Sequence, residues 1–419
     1  MKPKFTIILL ATIFTFLGVN NVNGQSQWEQ TSTPPGGSVW ALETIGSNVF
    51  AGTTSGGVYF SDDNGTSWIQ RNGAFPDMEV YSLAVNGTDI YAGTGASFGS
   101  GIYKSSDNGL NWINITPSSM PTFSNVRSLA VNDTHIYAGS SGEGVYMSSL
   151  SGIDSESWST FNTGLINQNI RSLKIKESTI YAGTYGNGVW ISPTDSPDWN
   201  LTSATMPVYS DYIQALDVSG STIFSGNISG LPVLYRSIDN GEDWVVSNTD
   251  IFNDKPVYAV NRLGDDVYAG TEGSGIFLSS DNGITWSQFN EGFKDSTGNW
   301  LCVQINVRSI IFVGSTIFAG TDCGVWKRSL SESLGLNEFS DNNLFTVYPN
   351  PNRGIFKIHT SSINKIDIEV FNFLGEKVFS TSNFIEKSIE LDLSNSPKGI
   401  YYVKLYDGEK VLTEKIVIQ

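Results

Sequence analysis

The chain has 419 residues and a formal net charge of −17, with 43 glycines, 11 tryptophans, 2 cysteines and 2 histidines. This length allows two or three domains, and the abundance of Gly, Ser, Thr and Asn, with only 16% charged residues, is typical of short strands joined by tight turns. The acidic balance disfavours a nucleic-acid partner, and two distant histidines exclude a His-rich metal site.

The first 24 residues have the pattern of a secretory signal peptide. Lys2 and Lys4 precede an apolar run from Phe5 to about Val19, and a polar stretch follows. The run is shorter than the roughly 20 residues that a bilayer span needs, so we predict a signal peptide with cleavage near Gly24 or Gln25. No later stretch is apolar enough to cross a membrane, and we therefore expect no membrane span in the mature chain.

Residues 25–330 contain an internal repeat. Seven tryptophans recur at intervals of 40 to 46 residues, namely Trp28, Trp68, Trp112, Trp158, Trp199, Trp244 and Trp286. A second marker of the type Tyr/Phe-Ala-Gly-Thr keeps the same period and begins at Phe50, Tyr91, Tyr137, Tyr181, Phe224, Tyr268 and Phe318. Each unit contains four short apolar or alternating runs bounded by turn residues. The fold class is therefore predicted to be all-β, with a seven-bladed β-propeller over residues 25–330.

The two ends of the repeat predict how the ring closes. The first unit begins with the Trp28 strand, whereas no such strand follows the last unit, which ends at Leu330. We predict that the Trp28 strand completes the blade formed from about Val303 to Leu330, because this removes the free edges. We expect the glycines of the Ala-Gly-Thr marker to serve turns.

Four turns that lead into the tryptophan strands share the pattern S-x-D-x-G-x-x-W. Their aspartates are Asp63, Asp107, Asp239 and Asp281. Side chains of the Ser and Asp can bond the backbone of the turn, Gly supplies a positive φ, and Trp packs beneath. These turns resemble the Asp-box of sialidase-type BNR repeats, which implies a structural role. The turns around Asp154 and Asp195 have the Asp one residue closer to the Trp and should differ in shape.

One position of the repeat predicts a binding surface. The second residue of the innermost strand of each unit varies between nearly constant neighbours, and it is Trp40, Tyr81, Arg127, Arg171, Gln214, Tyr258 and Arg308. We predict that these residues, called here the mouth ring, surround the channel mouth, and they are the candidates for ligand binding. Arg offers forked donors to carboxylates, and aromatic rings offer stacking faces. Turns on the same face add four catalytic candidates, Glu143, Tyr185, Glu272 and Asp322.

Two functions remain open at this point. Three arginines, a tyrosine and carboxylates resemble the contents of a sialidase pocket, but sialidases have six blades and a Phe-Arg-Ile-Pro motif that this chain lacks. Asp-box xyloglucanases pair two propellers. The short units look more like non-catalytic propellers such as the photosystem assembly factor or sortilin-like receptors. We predict a binding module for a protein or glycan, with no cofactor and no metal; the alternative is a sialidase-like or glucanase-like glycoside hydrolase.

A structural role for the mouth-ring arginines is the other alternative, in which they pair with carboxylates and seal the channel mouth. The two cysteines, Cys302 and Cys323, both lie in the last unit. In an exported protein they can form a disulfide that ties the closing blade. Two buried thiols are the alternative.

The C-terminal region differs from the repeat. A polar linker at 331–343 precedes residues 344–419, in which alternating runs indicate a small antiparallel β-sandwich. Three motifs resemble the type A C-terminal sorting domain of the type IX secretion system, and their residues are Tyr348, Pro349, Asn350, Pro351, Gly354, Gly399, Tyr401 and Lys415. The resemblance implies a Bacteroidota-type bacterium, the type IX machinery as a partner, and export through the periplasm to the outer-membrane surface or the medium.

Overall fold

The computed structural model describes residues 27–32, 34, 37–73, 79–95, 101–121, 124–202, 212–228, 233–247, 252, 254–293, 301–302, 305–330, 345–348, 352–360, 366–372, 377–384, 388–407 and 410–418. The predicted signal peptide at 1–24, the linker at 331–343 and residues 349–351 lie outside them. The described residues form two compact units, one within Gln27–Leu334 and one within Gly335–Gln419. No helix in the described ranges is long and apolar enough to span a membrane.

The first unit consists of short antiparallel strands. In chain order they are β1 (Glu29–Gln30), β2 (Val39–Ile45), β3 (Asn48–Thr53), β4 (Val58–Ser61), β5 (Ile69–Gln70), β6 (Val80–Asn86), β7 (Asp89–Thr94), β8 (Ile102–Ser105), β9 (Ile113–Asn114), β10 (Val126–Val131), β11 (His135–Ser140), β12 (Val145–Ser149), β13 (Trp158–Thr160), β14 (Ile170–Lys176), β15 (Thr179–Thr184), β16 (Val189–Pro193), β17 (Asn200–Leu201), β18 (Ile213–Ser219), β19 (Thr222–Asn227), β20 (Leu234–Ser237), β21 (Val245–Val246), β22 (Val257–Leu263), β23 (Asp266–Thr271), β24 (Ile276–Ser279), β25 (Ser287–Gln288), β26 (Val307–Val313), β27 (Thr316–Thr321) and β28 (Gly324–Ser329).

Within the described residues these strands form seven four-stranded sheets, or blades. Blades 1 to 6 are β2–β5, β6–β9, β10–β13, β14–β17, β18–β21 and β22–β25, and blade 7 is β26–β28 completed by β1. The first strands of consecutive blades contact one another, and β26 contacts β2 in turn. The inner strands therefore form a closed ring, which confirms the predicted seven-bladed propeller.

The N-terminal strand closes this ring as predicted. Strand β1 lies antiparallel to β28, with Glu29 opposite Lys327. Trp28 is 2% exposed, stacks on Phe293 with ring centres 4.8 Å apart, and donates its indole N–H to the carbonyl oxygen of Phe289 at 2.7 Å. These contacts join the first residues of the propeller to its last two blades.

The glycine of each Ala-Gly-Thr marker lies inside the second strand of its blade, where it faces the next blade. A Cβ atom on Gly183 would lie 2.5 Å from Cγ2 of Ile213, and one on Gly320 would lie 2.9 Å from Cγ1 of Val39 across the closure. The β-branched residues that meet these glycines are all fully buried, namely Val39, Val80, Val126, Ile170, Ile213, Val257 and Val307. Our expectation that these glycines serve turns is therefore wrong; they allow close packing between blades.

The S-x-D-x-G-x-x-W turns are held by side-chain hydrogen bonds. In the first of them the Ser61 hydroxyl donates to Asp63 at 2.8 Å and accepts the Gly65 N–H at 2.8 Å, and Asp63 also accepts the Ser67 N–H at 2.9 Å. Asn64 adopts a φ of 59°. The bonds from Ser67 and Ser61 lower the pKa of Asp63 to about 2. Equivalent Ser–Asp bonds occur in the other three turns, at Asp107, Asp239 and Asp281.

The turns around Asp154 and Asp195 differ from these four, as predicted. The Ser148 hydroxyl bonds Ser157 at 2.7 Å, while Asp154 accepts the Glu156 N–H at 2.9 Å. In the next turn Ser192 accepts the N–H of Asp198 at 2.9 Å. The serine therefore bonds a different partner in each of these turns.

Several of the repeated tryptophans tie their blade to the preceding one by a hydrogen bond, although the buried indole N–H of Trp158 has no such partner. The indole N–H of Trp112 donates to the carbonyl oxygen of Arg71 at 2.7 Å, and that of Trp199 donates to the carbonyl oxygen of Phe161 at 2.7 Å. A buried indole with its N–H satisfied contributes a large apolar area without an unpaired donor. The period of the tryptophans in the sequence thus reflects contacts between blades.

The second unit contains two sheets in its described residues. One has the order β29 (Phe345–Tyr348), β30 (Ile355–Thr360) and β33 (Ser388–Asp392). The other has the order β32 (Lys377–Phe384), β31 (Ile366–Asn372), β34 (Gly399–Asp407) and β35 (Lys410–Ile418). Their buried side chains form one core, which includes Phe356, Ile358, Ile368, Val370, Val403 and Ile416.

The sequence motifs of this unit hold its segments together. The N–H of Asn352 donates to the carbonyl oxygen of Val417 at 2.9 Å, and its side-chain oxygen accepts the N–H of Gly354 at 2.7 Å. Gly354 has a φ of 95°, and a Cβ there would lie 2.4 Å from Cα of Ser394. Tyr401 is 2% exposed and donates its hydroxyl to Pro397 at 2.6 Å. The side chains of Tyr348 and Lys415 lie outside the described part.

Replacing Trp28 by Ala tests the closure. We expect a loss of about 3 to 5 kcal/mol of unfolding free energy, because a buried aromatic side chain and its inter-blade hydrogen bond are removed. Calorimetric melting of the full chain measures the effect. Glu29→Ala, which changes an exposed side chain of the same strand, is the control and should melt like the wild type. Equal melting of Trp28→Ala and wild type would contradict the role of this strand.

Replacing Asp63 by Asn tests the turn. The lowered pKa means that the folded state favours the charged carboxylate, so its contribution is complete above about pH 4 and disappears as the pH falls toward 2. We expect Asp63→Asn to melt below the wild type at pH 6, and the difference to shrink between pH 4 and pH 2. Asp62→Asn removes the same charge from an exposed neighbour and is the control. A difference that is constant with pH would refute this account.

Candidate functional site

The mouth ring is built by an irregularity that recurs in every inner strand. In blade 1, Val39 pairs with Thr53 and Ala41 pairs with Gly52, so Trp40 between them has no partner in the register. The same shift occurs in the inner strand of each other blade, and the skipped residues are Tyr81, Arg127, Arg171, Gln214, Tyr258 and Arg308. A β-bulge re-aims a side chain and breaks the alternation of a strand. All seven side chains are half-buried.

The turn after each Ala-Gly-Thr marker lies at the same end of the blade as this bulge. In blade 1 the Thr53 hydroxyl donates to the carbonyl oxygen of Gly57 at 2.9 Å and closes the turn. The N–H of Thr54 donates to the carbonyl oxygen of Ser38, at the entry to the inner strand, at 3.0 Å. The residue after the marker is thus held beside the mouth ring.

Five mouth-ring residues from consecutive blades form a stacked arc. The guanidinium carbon of Arg308 lies 4.8 Å from the ring centre of Tyr258 and 4.8 Å from that of Trp40. That of Arg127 lies 5.7 Å from Trp40 and 3.9 Å from Tyr81. The Trp40 and Tyr81 ring centres are 4.8 Å apart. In this arc both arginines are held between aromatic rings by cation–π contacts, and two of the rings, Trp40 and Tyr81, also contact each other.

Arg171 lies beside this arc in blade 4. Its guanidinium carbon is 4.6 Å from the ring centre of Tyr185, which in turn lies 4.6 Å from Tyr212. Its Nε atom is buried without a hydrogen-bond partner. Burial, and next the positive charge of Arg127, lower the pKa of Arg171. The two arginines therefore share a region of positive potential.

Of the three mouth-ring arginines, only Arg308 pairs with a carboxylate among the described residues, as the structural alternative predicts. Arg308 binds both oxygens of Asp322, with distances of 2.6 Å from Nε and 3.1 Å from the second nitrogen, and Asn306 donates to the same carboxylate at 2.5 Å. Burial would raise the pKa of Asp322, but these hydrogen bonds outweigh it and the pKa is lowered. Among the described residues neither Arg127 nor Arg171 has an acidic ion-pair partner; Arg127 Nε donates to Ser141 at 3.3 Å.

Sequence reasoning missed one acid and one ring at this site. The Tyr81 hydroxyl donates to Glu79 at 2.7 Å, and burial together with this carboxylate raises the pKa of Tyr81 to about 12. Tyr212 packs against Tyr185. Glu79 and Tyr212 both precede inner strands by one residue, a position that the repeat alignment did not consider.

The other predicted acids occupy different surroundings. Burial raises the pKa of Tyr258, and Glu272 adds to this shift. Glu143 instead acts on Tyr146, whose pKa is raised by burial and next by this carboxylate. Asp322 therefore contacts the mouth ring through Arg308, and Glu272 through Tyr258. Glu143 lies in the turn after the marker of blade 3, where its N–H donates to the Ser140 hydroxyl at 3.1 Å.

The cysteines lie beside Asp322. The structure joins Cys302 and Cys323 by a disulfide, with Cα atoms 6.3 Å apart. Cys323 directly follows Asp322, and its carbonyl oxygen accepts the side-chain N–H of Gln30 at 2.8 Å. The ring closure, the disulfide and the Arg308–Asp322 ion pair thus meet in blade 7.

The chemistry of this site favours anion binding. A guanidinium held over an aromatic ring keeps its in-plane N–H donors for a carboxylate or another oxyanion. Asp322 is already bound by a guanidinium. A carboxylate in this state does not suit the role of a general acid, nor that of a glycosidase nucleophile, which needs a second carboxyl at a set distance. Across the described ranges, no group of three or more His, Cys, Asp or Glu residues could hold a metal ion.

Residues 346–419 match the secretion system C-terminal sorting domain. The chain therefore carries a sorting domain of the type IX secretion system, which indicates export to the cell surface or the medium of a Bacteroidota-type bacterium. None of the curated proteins compared with the chain is significantly similar to it.

Solved structures share the propeller fold. YCF48 bound to D1 peptide is 16% identical, with a TM-score of 0.56 over 73% of this chain and 96% of that chain. The extracellular domain of a putative hybrid two-component system from B. thetaiotaomicron is 15% identical, with a TM-score of 0.58 over 94% of this chain and 57% of that chain. The xyloglucanase from Xanthomonas campestris is 14% identical, with a TM-score of 0.53 over 81% and 60%. At these identities the likeness concerns the fold alone.

Proposed function

We propose that this protein is an exported, non-catalytic binding module whose ligand binds at the mouth ring. One observation carries the proposal: a bulge recurs at the same place in all seven inner strands, and two of the three arginines at these bulges have no acidic partner among the described residues. Half-buried cations without counter-ions are costly unless something else compensates them. A ligand with negative charge supplies that compensation.

The state of the nearby carboxylates supports binding rather than hydrolysis. Asp322 is held by Arg308 and Asn306, Glu79 accepts the hydroxyl of Tyr81, and Glu272 acts on Tyr258. Each is therefore engaged by another mouth-ring or neighbouring side chain. A propeller of the same fold has been solved with a bound peptide, and the shared fold is compatible with the same kind of use in this chain.

We also place the propeller among Asp-box proteins and the second unit among type A sorting domains. The first assignment is supported by the Ser–Asp bonds in the four repeated turns. The second is supported by Asn352, Gly354 and Tyr401, whose hydrogen bonds explain why the motif needs these residue types.

A combined binding and hydrolysis screen tests the binding function. The full chain is applied to peptide and glycan arrays, and reducing-end release is measured on the same glycans. We expect binding without turnover, and loss of binding in the triple variant Arg127→Gln, Arg171→Gln, Arg308→Gln. Arg353→Gln, an exposed arginine of the second unit, is the control. Sugar release that disappears in Glu272→Gln or Glu143→Gln would instead establish a glycoside hydrolase.

Deletion of residues 344–419 tests the sorting function. We expect the truncated protein to accumulate in the periplasm of the producing bacterium, because the signal for outer-membrane passage is lost. Gly354→Val is the matching point variant, since its side chain would collide with Ser394; Glu390→Gln, on an exposed position of β33, is the control. Fractionation and immunoblotting measure the distribution. Normal surface display of the truncated chain would refute the assignment.

A further inference from the structure

We infer that the ligand is an acidic peptide, with a carboxylate bound edge-on by Arg127 and Arg171. This inference rests on the proposed binding function and names the ligand class of that same site. It depends on three observations: the occupied faces of the aromatic rings, the carboxylate that blade 7 supplies to its own arginine, and the residues that stand at the equivalent place in blades 3 and 4.

The first observation concerns the aromatic rings. Neutral sugars bind proteins largely by stacking on aromatic faces. Trp40 is flanked by the guanidiniums of Arg308 and Arg127, and guanidiniums also lie over Tyr81 and Tyr258. Each of these three rings therefore already has at least one guanidinium partner within the protein. Since Asp322 binds Arg308, what the stacked arc offers to a ligand is the edge of the Arg127 guanidinium, whose N–H donors match a carboxylate.

The second observation is an arginine–carboxylate pair within the protein itself. Arg308 and Asp322 form a two-point contact, at 2.6 and 3.1 Å, between a stacked mouth-ring arginine and the residue directly after the Ala-Gly-Thr marker. The chain thus shows how a carboxylate fits a guanidinium of the mouth ring. It also shows that the arginine of blade 7 is already occupied.

The third observation is an asymmetry in the residue that follows the marker. Blades 6 and 7 have an acid there, Glu272 and Asp322, whereas blades 3 and 4 have Ser141 and Tyr185. Ser141 lies 3.3 Å from Arg127 Nε, the place that the Asp322 carboxylate takes relative to Arg308. Tyr185 stacks on Arg171 and supplies no charge. Two arginines in adjacent blades therefore present donors where the described residues provide no carboxylate.

An extended peptide fits this arrangement better than a charged polysaccharide. Its glutamate and aspartate side chains bring carboxylates on flexible stems, so they reach guanidinium edges without placing a ring against the occupied aromatic faces. Half-buried charges are screened less by salt than exposed ones. Binding should nonetheless weaken as the ionic strength rises.

The test uses a fluorescently labelled oligoglutamate peptide and the full chain, with fluorescence anisotropy as the measurement. We expect binding by the wild type, and loss of about tenfold or more in affinity in Arg171→Gln, because a charge-assisted hydrogen bond is removed. Ser141→Asp should weaken binding similarly while keeping every arginine, because it gives Arg127 an internal carboxylate like that of blade 7. Ser151→Asp, an exposed site elsewhere in blade 3, adds the same charge and is its control.

A gain-of-function variant makes the result independent of folding defects. Asp322→Asn should tighten oligoglutamate binding, because it frees Arg308, and damage to the fold cannot produce a gain. The inference is overturned when the wild type does not bind oligoglutamate, or when Arg171→Gln and Ser141→Asp bind as the wild type does. Oligogalacturonate and xyloglucan oligosaccharides complete the test. If only these bind, and the triple arginine variant loses them, the ligand class is wrong but the proposed function stands; hydrolysis of either would refute both.

Discussion

The propeller depends on one contact that recurs between blades, in which a glycine of one blade meets a β-branched residue of the next. Any Cβ on these glycines would collide with the neighbouring Val or Ile, as Gly183 with Ile213 and Gly320 with Val39 show. The contact lets the second strand of one blade lie close to the inner strand of the next. Because it also occurs at the closure, the last blade meets the first in the same way as all other neighbours, and the ring closes without a special interface.

The candidate site follows from this contact. The β-branched residue that packs on the glycine is immediately followed by the bulged residue. Because the β-branched residue is fixed in the core, the position of the bulged residue at the edge of the core is fixed as well. Because this arrangement recurs in all seven blades, the backbone is nearly identical at each mouth-ring position, while the chemistry of the side chain is free to vary. Packing between blades and the proposed recognition thus use adjacent residues of the same strand, and a change in the mouth ring need not disturb that packing.

Charged residues of opposite sign are found in two settings of the chain, the repeated turns and the mouth ring. Aspartates in the repeated turns are ionised and held by hydrogen bonds, as the pKa of about 2 for Asp63 and Asp281 shows. They account for part of the net charge of −17 as structural elements. The mouth ring is the opposite case, since Arg127 and Arg171 lie close together within an acidic protein. An anionic ligand would therefore meet a local attraction against a repulsive background.

The repeat made most of the fold predictable from sequence. Period, strand count, ring closure and the variable position were all visible, because each blade repeats the same contacts and so the same residue types. The role of the Ala-Gly-Thr glycines was not visible in the sequence, because a glycine needed for a turn and a glycine needed for close packing look alike there. The bulge was also hidden, because a skipped residue leaves no mark on an apolar pattern.

The sequence by itself thus determined the propeller, its closing strand and the identity of the mouth-ring residues. Only the tertiary structure decided which arginines have a carboxylate. Arg127, Arg171 and Arg308 occupy equivalent positions, yet Arg308 alone binds an acid, Asp322, among the described residues. That difference depends on side chains from another strand of the blade, and on distances of a few ångströms that no spacing along the chain encodes.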